Sequence, residues 1–265
     1  MTSPSDIGAQ VRQGYADARP LEARQAIYRW QQPPVDLPGL ALARLRDVAG
    51  LVVDVGCGNH RYLTRIAAER PDLRVLGLDL SPGMRPHAVA DAQRLPVPDA
   101  SAGAVLAMHT LYHVPDIDQA IGEMARVLRG DGTALAAAND DGHVREFGVL
   151  FADAVRAVRP GAAIDPGPAF GHRFRVENGA PMLERHFESV QPVAWQTAIR
   201  IPEPGPVIAY LDSTRASREG RLPAQVSWEA MLAAANDLVT RVVLREGDFA
   251  VTARSGILIC RGPRH

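Results

Sequence analysis

The stretch VVDVGCGNHRYL, residues 52–63, decides the fold. An apolar run that carries Asp54 predicts a buried strand, and Gly56-Cys57-Gly58 follows directly, ahead of a predicted helix. In an open parallel sheet, ligands bind beyond the carboxyl ends of the strands, where glycine lets the backbone approach a ligand closely. Free N–H groups at the start of the next helix suit a carboxylate or phosphate. The stretch predicts a ligand site, with an ordinary tight turn as the alternative.

Short apolar runs alternate with helical stretches around this segment. Strands alternating with helices at this spacing indicate βαβ units on a parallel sheet, and continuously apolar strands indicate burial on both faces. The strands are predicted over 51–55, 74–80, 88–92, 103–109 and 133–139, and the helices over about 60–69, 116–129 and 143–158.

The two ends of the chain depart from this alternation. The first fifty residues predict amphipathic helices, and a Gly/Pro-rich stretch predicts a surface loop at 159–172. Two late strands enclose helical periodicity, which indicates antiparallel additions at the sheet edge. The amino-terminal helices are predicted over 5–15, 21–30 and 40–48, the late strands over 187–201 and 249–260, and the enclosed helices around 206–217 and 227–244.

Composition excludes several classes of function. With 46% hydrophobic and 22% charged residues in 265, the chain is a folded globular protein. All 29 basic residues are arginine, so no lysine is available for a Schiff base, a phosphate-binding loop or a general base. A net charge of −1 without a basic cluster argues against nucleic-acid binding.

The cysteines and the apolar segments indicate the cellular compartment and whether a metal is bound. Cys57 and Cys260 lack the spacing of a zinc site and are too few for a disulfide framework, so we expect no metal and a reducing compartment. The amino terminus has no secretory pattern, and no apolar run reaches the ~18 residues of a membrane span. We therefore expect a cytoplasmic protein without a membrane partner.

A second acidic residue strengthens the case for a ligand site. Asp79 ends the next predicted strand, 21 residues after Gly58, where an acid can bind both hydroxyls of a ribose. A local role in the Asp-Leu-Ser-Pro turn is the alternative, and both can hold together.

Five motifs in succession resemble those of class I S-adenosylmethionine-dependent methyltransferases, in the type 11-like group that acts on small molecules. They are Asp54-Val-Gly56-Cys-Gly58, LGLDLSPGM at 76–84, DAQRLPVPDASAGAV at 91–105, HTLYHVPD at 109–116 and ARVLRGDGTAL at 125–135. The resemblance implies a Rossmann-like seven-stranded, mostly parallel sheet with helices on both faces and an antiparallel C-terminal strand. It also implies an N-terminal helical lid at 1–48, and a methyltransferase domain at 49–265 with a helical substrate insertion at about 203–247.

The resemblance assigns S-adenosyl-L-methionine as cofactor and gives each matching residue a role. Backbone at Gly56, Cys57 and Gly58 would line the methionine part, and Asp54 would hold its amino group directly or through water. The other implied contacts are Asp79 with the ribose, Leu80 with the adenine face, Asp91 and Ala92 with the adenine edge, and Met108 with the methionine end.

One position departs from the family pattern. The usual third glycine of Gly-x-Gly-x-Gly is His60, which we expect either to contact the cofactor carboxylate or to point to solvent. A nicotinamide cofactor is the rival, but that fold needs Gly-x-Gly-x-x-Gly, and its last position here is Arg61.

Methyl transfer from a sulfonium is an in-line displacement that needs a base only for a poorly acidic acceptor. The catalytic candidates are His109, His113 and Tyr15. The alternative for His109 is a place in the site wall or the core, and that for His113 is to start the following helix. Tyr15 could instead lie on an exposed helix face. Further polar residues expected near the site are Tyr28, His60, Tyr112, Asn139 and His143.

The expected acceptor is a small molecule, such as a specialised metabolite, methylated at O, N or C. Two alternatives stay open: an RNA or protein methyltransferase, and a non-methylating protein that binds S-adenosylmethionine. A homodimer is compatible with the sequence, which does not fix the oligomeric state.

Overall fold

The computed structural model describes residues 8, 11–167 and 172–264. Its strands are β1 (Gln31–Gln32), β2 (Leu51–Val55), β3 (Arg74–Asp79), β4 (Ala88–Val89), β5 (Ala102–Met108), β6 (Leu128–Asn139), β7 (Phe187–Ile201) and β8 (Phe249–Pro263). Its helices are α1 (Arg19–Ala26), α2 (Leu37–Arg44), α3 (Arg61–Glu69), α4 (Ile117–Val127), α5 (Arg145–Val158), α6 (Val176–Leu183), α7 (Pro204–Asp212), α8 (Arg215–Arg218) and α9 (Trp228–Glu246).

All eight strands form one sheet in the order β1-β7-β8-β6-β5-β2-β3-β4. Strands β2 to β6 pair in parallel, whereas β8 is antiparallel to both β6 and β7. The Rossmann-like α/β prediction with an antiparallel C-terminal strand is confirmed. The added eighth strand is β1, which pairs Gln31 with Ile199 at the edge of the sheet.

Helices cover both faces of the parallel core. Every residue of β5 is buried, as expected for a central strand between two helical layers. On one face, Val53 and Val55 pack with α4 and with Leu183 of α6. On the other face, Val52 packs with residues of α2 and α3. Apolar residues on both sides of the sheet therefore fix the carboxyl ends of the strands in one rigid edge.

The long antiparallel strands extend beyond the core and carry their own helices. Ile199 and Ile201 of β7 pack with Phe151 of α5 and with Trp228 and Val239 of α9. Ser227 begins α9 by accepting a hydrogen bond from the Ala230 N–H at 3.1 Å. The insertion between β7 and β8 is therefore anchored on α5, next to the end of β6.

Several predicted boundaries were wrong for identifiable reasons. The helix expected over 40–48 is α2, which begins at Leu37, three residues earlier than expected. Asp36 caps it there, because its side chain accepts a hydrogen bond from the Gly39 N–H at 3.1 Å. The strand expected over 88–92 ends at Val89. Helix α6 was missed because Gly179 and Pro181 lie inside it. The helix expected over 5–15 and the loop over 159–172 fall partly outside the described residues.

Within the described parts of the chain, no helix combines the length and the apolar character that crossing a bilayer requires.

Candidate active site

A cavity of about 260 Å³ opens at the carboxyl ends of the parallel strands. It is bordered by the segments after β2, β3, β5 and β6 and covered by residues of the N-terminal segment. The sequence-predicted residues that line it are Tyr15, Gly56, Cys57, Gly58, Asp79, Leu80, Asp91, Ala92, Met108, His109 and His113. The structure thus brings most of the predicted site together. Asp54 is the one predicted cofactor-binding or catalytic residue that does not line the cavity.

The glycine loop after β2 needs glycine at two positions. Gly56 and Gly58 have φ angles of 72° and 51°, a left-handed region that favours glycine. A Cβ atom on Gly56 would also collide with the side chain of Thr110. The amides of Gly56 and Cys57 both donate to the Leu78 carbonyl, at 2.7 and 3.0 Å, which ties the loop to β3.

Asp54 lies behind this loop, within the sheet. Its side chain is fully buried, and neither carboxyl oxygen has a hydrogen-bond partner. Burial, and to a smaller extent the nearby Asp79, raises the pKa of Asp54 to about 7. An unpartnered buried carboxyl beside a cavity is costly unless something cationic or hydrogen-bonding completes it. Asp54 therefore suits a ligand with an ammonium group, such as the amino group of a methionine moiety.

Asp79 has the local role that the sequence offered as its alternative. Its carboxylate accepts from the Ser81 amide at 2.9 Å and from the Gly58 amide at 3.0 Å. Burial raises the pKa of Asp79, while these backbone donors counteract the shift. Each carboxylate oxygen keeps a further lone pair, so Asp79 can brace the glycine loop and still accept from a ligand hydroxyl.

The predicted adenine-binding pair, Asp91 and Ala92, lines the first cavity. Asp91 is exposed, and its two carboxylate oxygens accept from the Gln93 side-chain amide at 3.0 Å each. Leu80 lines the same cavity. Their contacts with adenine stay predictions.

His60 lies between the glycine loop and α3, and the contact with a cofactor carboxylate expected for it stays a prediction. It lines neither described cavity, and its Nε2 is shielded from solvent without a hydrogen-bond partner. Its ring packs edge-on to His87 at a centroid distance of 5.6 Å. His60 caps α3 with a φ of 63°, in the left-handed region where the family pattern has glycine. His60 therefore stands in place of the family's glycine while its backbone keeps the left-handed conformation that glycine adopts most easily.

Two predicted catalytic histidines face the cavity in neutral form. Burial lowers the pKa of His109 to about 4, with Arg61 adding to the shift, and lowers that of His113 to about 3, with Arg24, His109 and Arg173 adding to it. Tyr15 Oη lies 3.0 Å from His113 Nε2, so the N-terminal segment and the loop after β5 meet there. His109 has a φ of 61°, a strained conformation of the kind that clusters at functional sites.

A second tyrosine–histidine pair lies at the end of β6. His143 Nδ1 accepts from the Arg254 amide at 3.0 Å, which assigns the ring proton to Nε2. Nε2 in turn lies 3.0 Å from Tyr28 Oη and donates to it. Burial lowers the pKa of His143 to about 3, so this arrangement holds at neutral pH. The Tyr28 hydroxyl keeps its own hydrogen for another acceptor.

A second cavity of about 550 Å³ adjoins the first. It lies between the end of β6, the start of α5 and the helices of the insertion. The residues that line both cavities are Val11, Tyr15, Arg24, Tyr112, His113, Asn139, His143 and Tyr210. We call this set the shared wall. It is the one place, among the described residues, where ligands in the two cavities would meet.

Sequence reasoning missed several lining residues: Thr110 lies in the HTLYHVPD motif but was not singled out, and no motif marks the others. Thr110, Gln25 and Tyr210 reach the first cavity from separate elements, and Arg218 reaches the second from the insertion. The only sequence signal for Tyr210 and Arg218 is that they fall in the insertion expected to select the substrate. Among the described residues, no cluster of His, Cys, Asp or Glu side chains could hold a metal ion.

An open α/β sheet with a glycine loop after its first core strand and an acid after its second defines a Rossmann-like protein that binds a nucleoside-containing cofactor. Residues 53–136 match the family described as a methyltransferase domain. Over these residues the chain is similar to the class I S-adenosylmethionine-dependent methyltransferases.

Individual relatives agree with this family. The chain is 30% identical over 155 residues to a malonyl-[acyl-carrier protein] O-methyltransferase of Geobacter sulfurreducens, covering 53% of this chain and 56% of that protein. It is 31% identical over 141 residues to the 27-O-demethylrifamycin SV methyltransferase of Amycolatopsis mediterranei, covering 47% and 49%. The chain thus spans about half the length of these curated relatives.

The fold is similar to that of the [4+2]-cyclase SpnF. The two structures have a TM-score of 0.51 at 16% identity, over 86% of this chain and 80% of that one. This likeness concerns the fold alone.

Proposed function

We propose that this chain transfers a methyl group from S-adenosyl-L-methionine to a small molecule, with a specialised metabolite as the acceptor class. The observation that carries the proposal is the pair of cavities with their shared wall. The first cavity has the glycine loop and the acids that suit the cofactor, and the second is large enough for a separate acceptor.

The residues present fit this cofactor. The unpartnered Asp54 carboxyl suits its ammonium group, and Asp79 has lone pairs left for ribose hydroxyls. Backbone at Gly56 and Gly58 keeps side chains out of the cavity. When bound, the cofactor supplies an electrophilic methyl group on a sulfonium.

The residues of the site suit catalysis by binding and orienting the acceptor better than catalysis by a strong base. His109 and His113 have pKa values of about 4 and 3, well below the operating range in which a general base is most effective. The neutral His109 ring can position an acceptor or take a hydrogen bond from it, while His113 pairs with Tyr15. The site therefore favours an acceptor that is already nucleophilic or easily ionised, held in line within a dry pocket.

The two curated relatives are named as an O-methyltransferase of malonyl-[acyl-carrier protein] and as a methyltransferase of 27-O-demethylrifamycin SV. These names support a small or carrier-bound acceptor here, with oxygen as the first atom to test. Methylation at N or C remains within the proposal, and RNA or protein methylation is the alternative that a test with labelled methyl groups in cell extract would reveal.

The proposal is tested by calorimetric titration with S-adenosylhomocysteine and S-adenosylmethionine. We expect saturable 1:1 binding to the full chain. Replacing Asp79 by alanine should weaken binding by roughly 1–3 kcal/mol, because a charge-assisted hydrogen-bond acceptor is lost and the Gly58 amide loses its partner.

Asp72→Ala is the matched control, since Asp72 is exposed, pairs with Arg70 and precedes β3 at the opposite edge of the sheet. Its affinity for either molecule should equal that of the parent chain. If neither molecule binds the parent chain, the proposed function is wrong.

A further inference from the structure

The second cavity contains a buried arginine without a partner. The Arg218 side chain belongs to α8, in the insertion, and the residue is 5% exposed. Its Nε and Nη1 atoms are shielded from solvent and have no hydrogen-bond partner. Within residues 11–167 and 172–264, no carboxylate forms an ion pair with it. An unpaired buried charge is among the costlier features a fold can retain.

The surroundings hold the guanidinium in place without neutralising it. Its Cζ lies 5.2 Å from the centroid of the buried Phe151 ring, a cation–π contact. Burial, and then the neighbouring Arg221, lowers the pKa of Arg218 to about 10, which leaves it charged at neutral pH. Packing thus fixes the orientation of the group, while its hydrogen-bonding capacity stays unused.

The other arginines that line this cavity have partners. Arg175 pairs with Asp141 at 3.0 Å, and Arg24 donates to the Ser213 carbonyl at 3.0 Å. Arg145 lies 3.9 Å from Glu146. Among the described arginines that line this cavity, Arg218 is therefore the one without a hydrogen-bond or ion-pair partner.

The lining carboxylates do not reach Arg218 either. Asp141 is taken by Arg175, and Asp140 shares a hydrogen bond with Glu177, which together with burial raises the pKa of Asp140 to about 6. Both belong to the segment after β6, whereas Arg218 comes from the insertion. Of the two lining arginines without a carboxylate partner, Arg24 and Arg218, only Arg218 is also without a hydrogen-bond partner.

We propose that Arg218 binds a carboxylate on the acceptor molecule. This inference rests on the proposed function and names the substrate class of the same site. A planar guanidinium pairs with a carboxylate through two parallel hydrogen bonds, and one such group matches one negative charge.

The position of Arg218 separates anchoring from methyl transfer. It lines the second cavity and is absent from the shared wall, which includes Tyr210 and His113. The carboxylate is therefore an anchor, and a different atom of the acceptor faces the first cavity.

The test uses two probes that differ in charge, 3-phenylpropionate and 3-phenylpropanamide, titrated calorimetrically into the full chain with and without S-adenosylhomocysteine. We expect the parent chain to bind the carboxylate roughly ten-fold or more tightly than the amide, as for a buried charge-assisted contact. Arg218→Met should abolish this preference. It should also raise the melting temperature of the ligand-free protein, because it removes an unpaired buried charge.

Arg221→Met is the matched control. Arg221 lies 5.9 Å from the same Phe151 ring, donates to the Asp165 carbonyl and is not part of the cavity lining. It should keep the carboxylate preference. Arg218→Lys retains the positive charge but not the planar guanidinium, so it should keep only part of the carboxylate preference. This variant replaces Arg218→Met in the test if the methionine variant does not fold.

Equal binding of the two probes by the parent chain, or an unchanged preference in both Arg218 variants, would overturn the inference. Failure of the proposed function is a separate result, since it shows as absent binding of S-adenosylhomocysteine itself. Carboxylate preference without cofactor binding would support the anion site and refute the methyltransferase proposal.

Discussion

Asp54 illustrates how one residue links the stability of the fold to its site. In the unfolded chain its carboxyl has an ordinary pKa near 3.8, and in the folded chain burial raises it to about 7. Between these values the folded state binds more protons, so Asp54 makes folding less favourable as the pH rises from about 4 to about 7. Above pH 7 the full cost is present.

Replacing Asp54 by asparagine should remove this dependence. We expect the free energy of unfolding of Asp54→Asn, relative to the parent chain, to rise by up to about 1.4 kcal/mol per pH unit between pH 4 and 7. Urea unfolding of both proteins at intervals of pH measures it. A difference that is flat across this range would mean that Asp54 is not a buried acid with a raised pKa.

The same substitution should weaken cofactor binding. Asparagine keeps the shape of the carboxyl but not the charge that suits an ammonium group, so Asp54→Asn is expected to gain stability at pH 8 while it loses affinity for S-adenosylhomocysteine. Calorimetry at pH 8 checks this. Unchanged affinity would show that the buried carboxyl is structural.

His60 allows a test of backbone strain. Its φ of 63° is costly for a residue with a Cβ atom, so glycine should be better than alanine here, the reverse of the usual order around a helix. Both variants lose the contact with His87, and their difference isolates the backbone. We expect His60→Gly to be more stable than His60→Ala by about 1 kcal/mol in thermal unfolding. Alanine equal to or better than glycine would contradict this reading.

The elements differ in how far sequence could predict them. Apolar runs such as Leu51–Val55 and the glycine loop predicted the core strands and the cofactor edge, because burial and backbone geometry depend on local residue types. The short strand β1 carries only Gln31 and Gln32, and its place follows from pairing with β7, more than 160 residues away. Arg218 was unpredictable for the same reason: its burial depends on Phe151 from another element.

The N-terminal segment touches the site at several points. The Asn59 side chain donates to Gln25 at 2.8 Å, and Tyr15 meets His113 at 3.0 Å. A Cβ atom on Gly83 would collide with the Ala16 carbonyl, so this segment lies directly on the loop after β3. These contacts support the proposal that the segment acts as a lid over the first cavity.

A lid should become harder to open when ligand fills the cavity. Because the chain has no lysine, trypsin cleaves it only after arginine, and Arg12 and Arg24 report on this segment, whereas Arg19 precedes Pro20 and is not cleaved. We expect saturating S-adenosylhomocysteine to slow cleavage there at least about three-fold while cleavage at the exposed Arg245, at the end of α9, continues unchanged. Mass spectrometry of timed digests measures both rates. Equal protection at all sites would indicate general stabilisation without a lid.

At the scale of the whole molecule, the sheet places two ligand sites side by side. The parallel core forms the first cavity, and the antiparallel extension with its helical insertion forms much of the second. The strained residues His109 and Val144, with φ angles of 61° and 46°, lie at the ends of β5 and before α5, where the two parts join. We propose that the common fold supplies cofactor binding and that the insertion supplies selection of the acceptor.

The central claim is that cofactor and acceptor meet at the shared wall. A crystal structure of the full chain with S-adenosylhomocysteine tests it most directly. We predict that the amino group lies on the Asp54 side of the glycine loop, the ribose at Asp79, and the sulfur beside Tyr15 and His113, facing the second cavity. A sulfur atom that faces bulk solvent, or density for the molecule outside the first cavity, would contradict this arrangement.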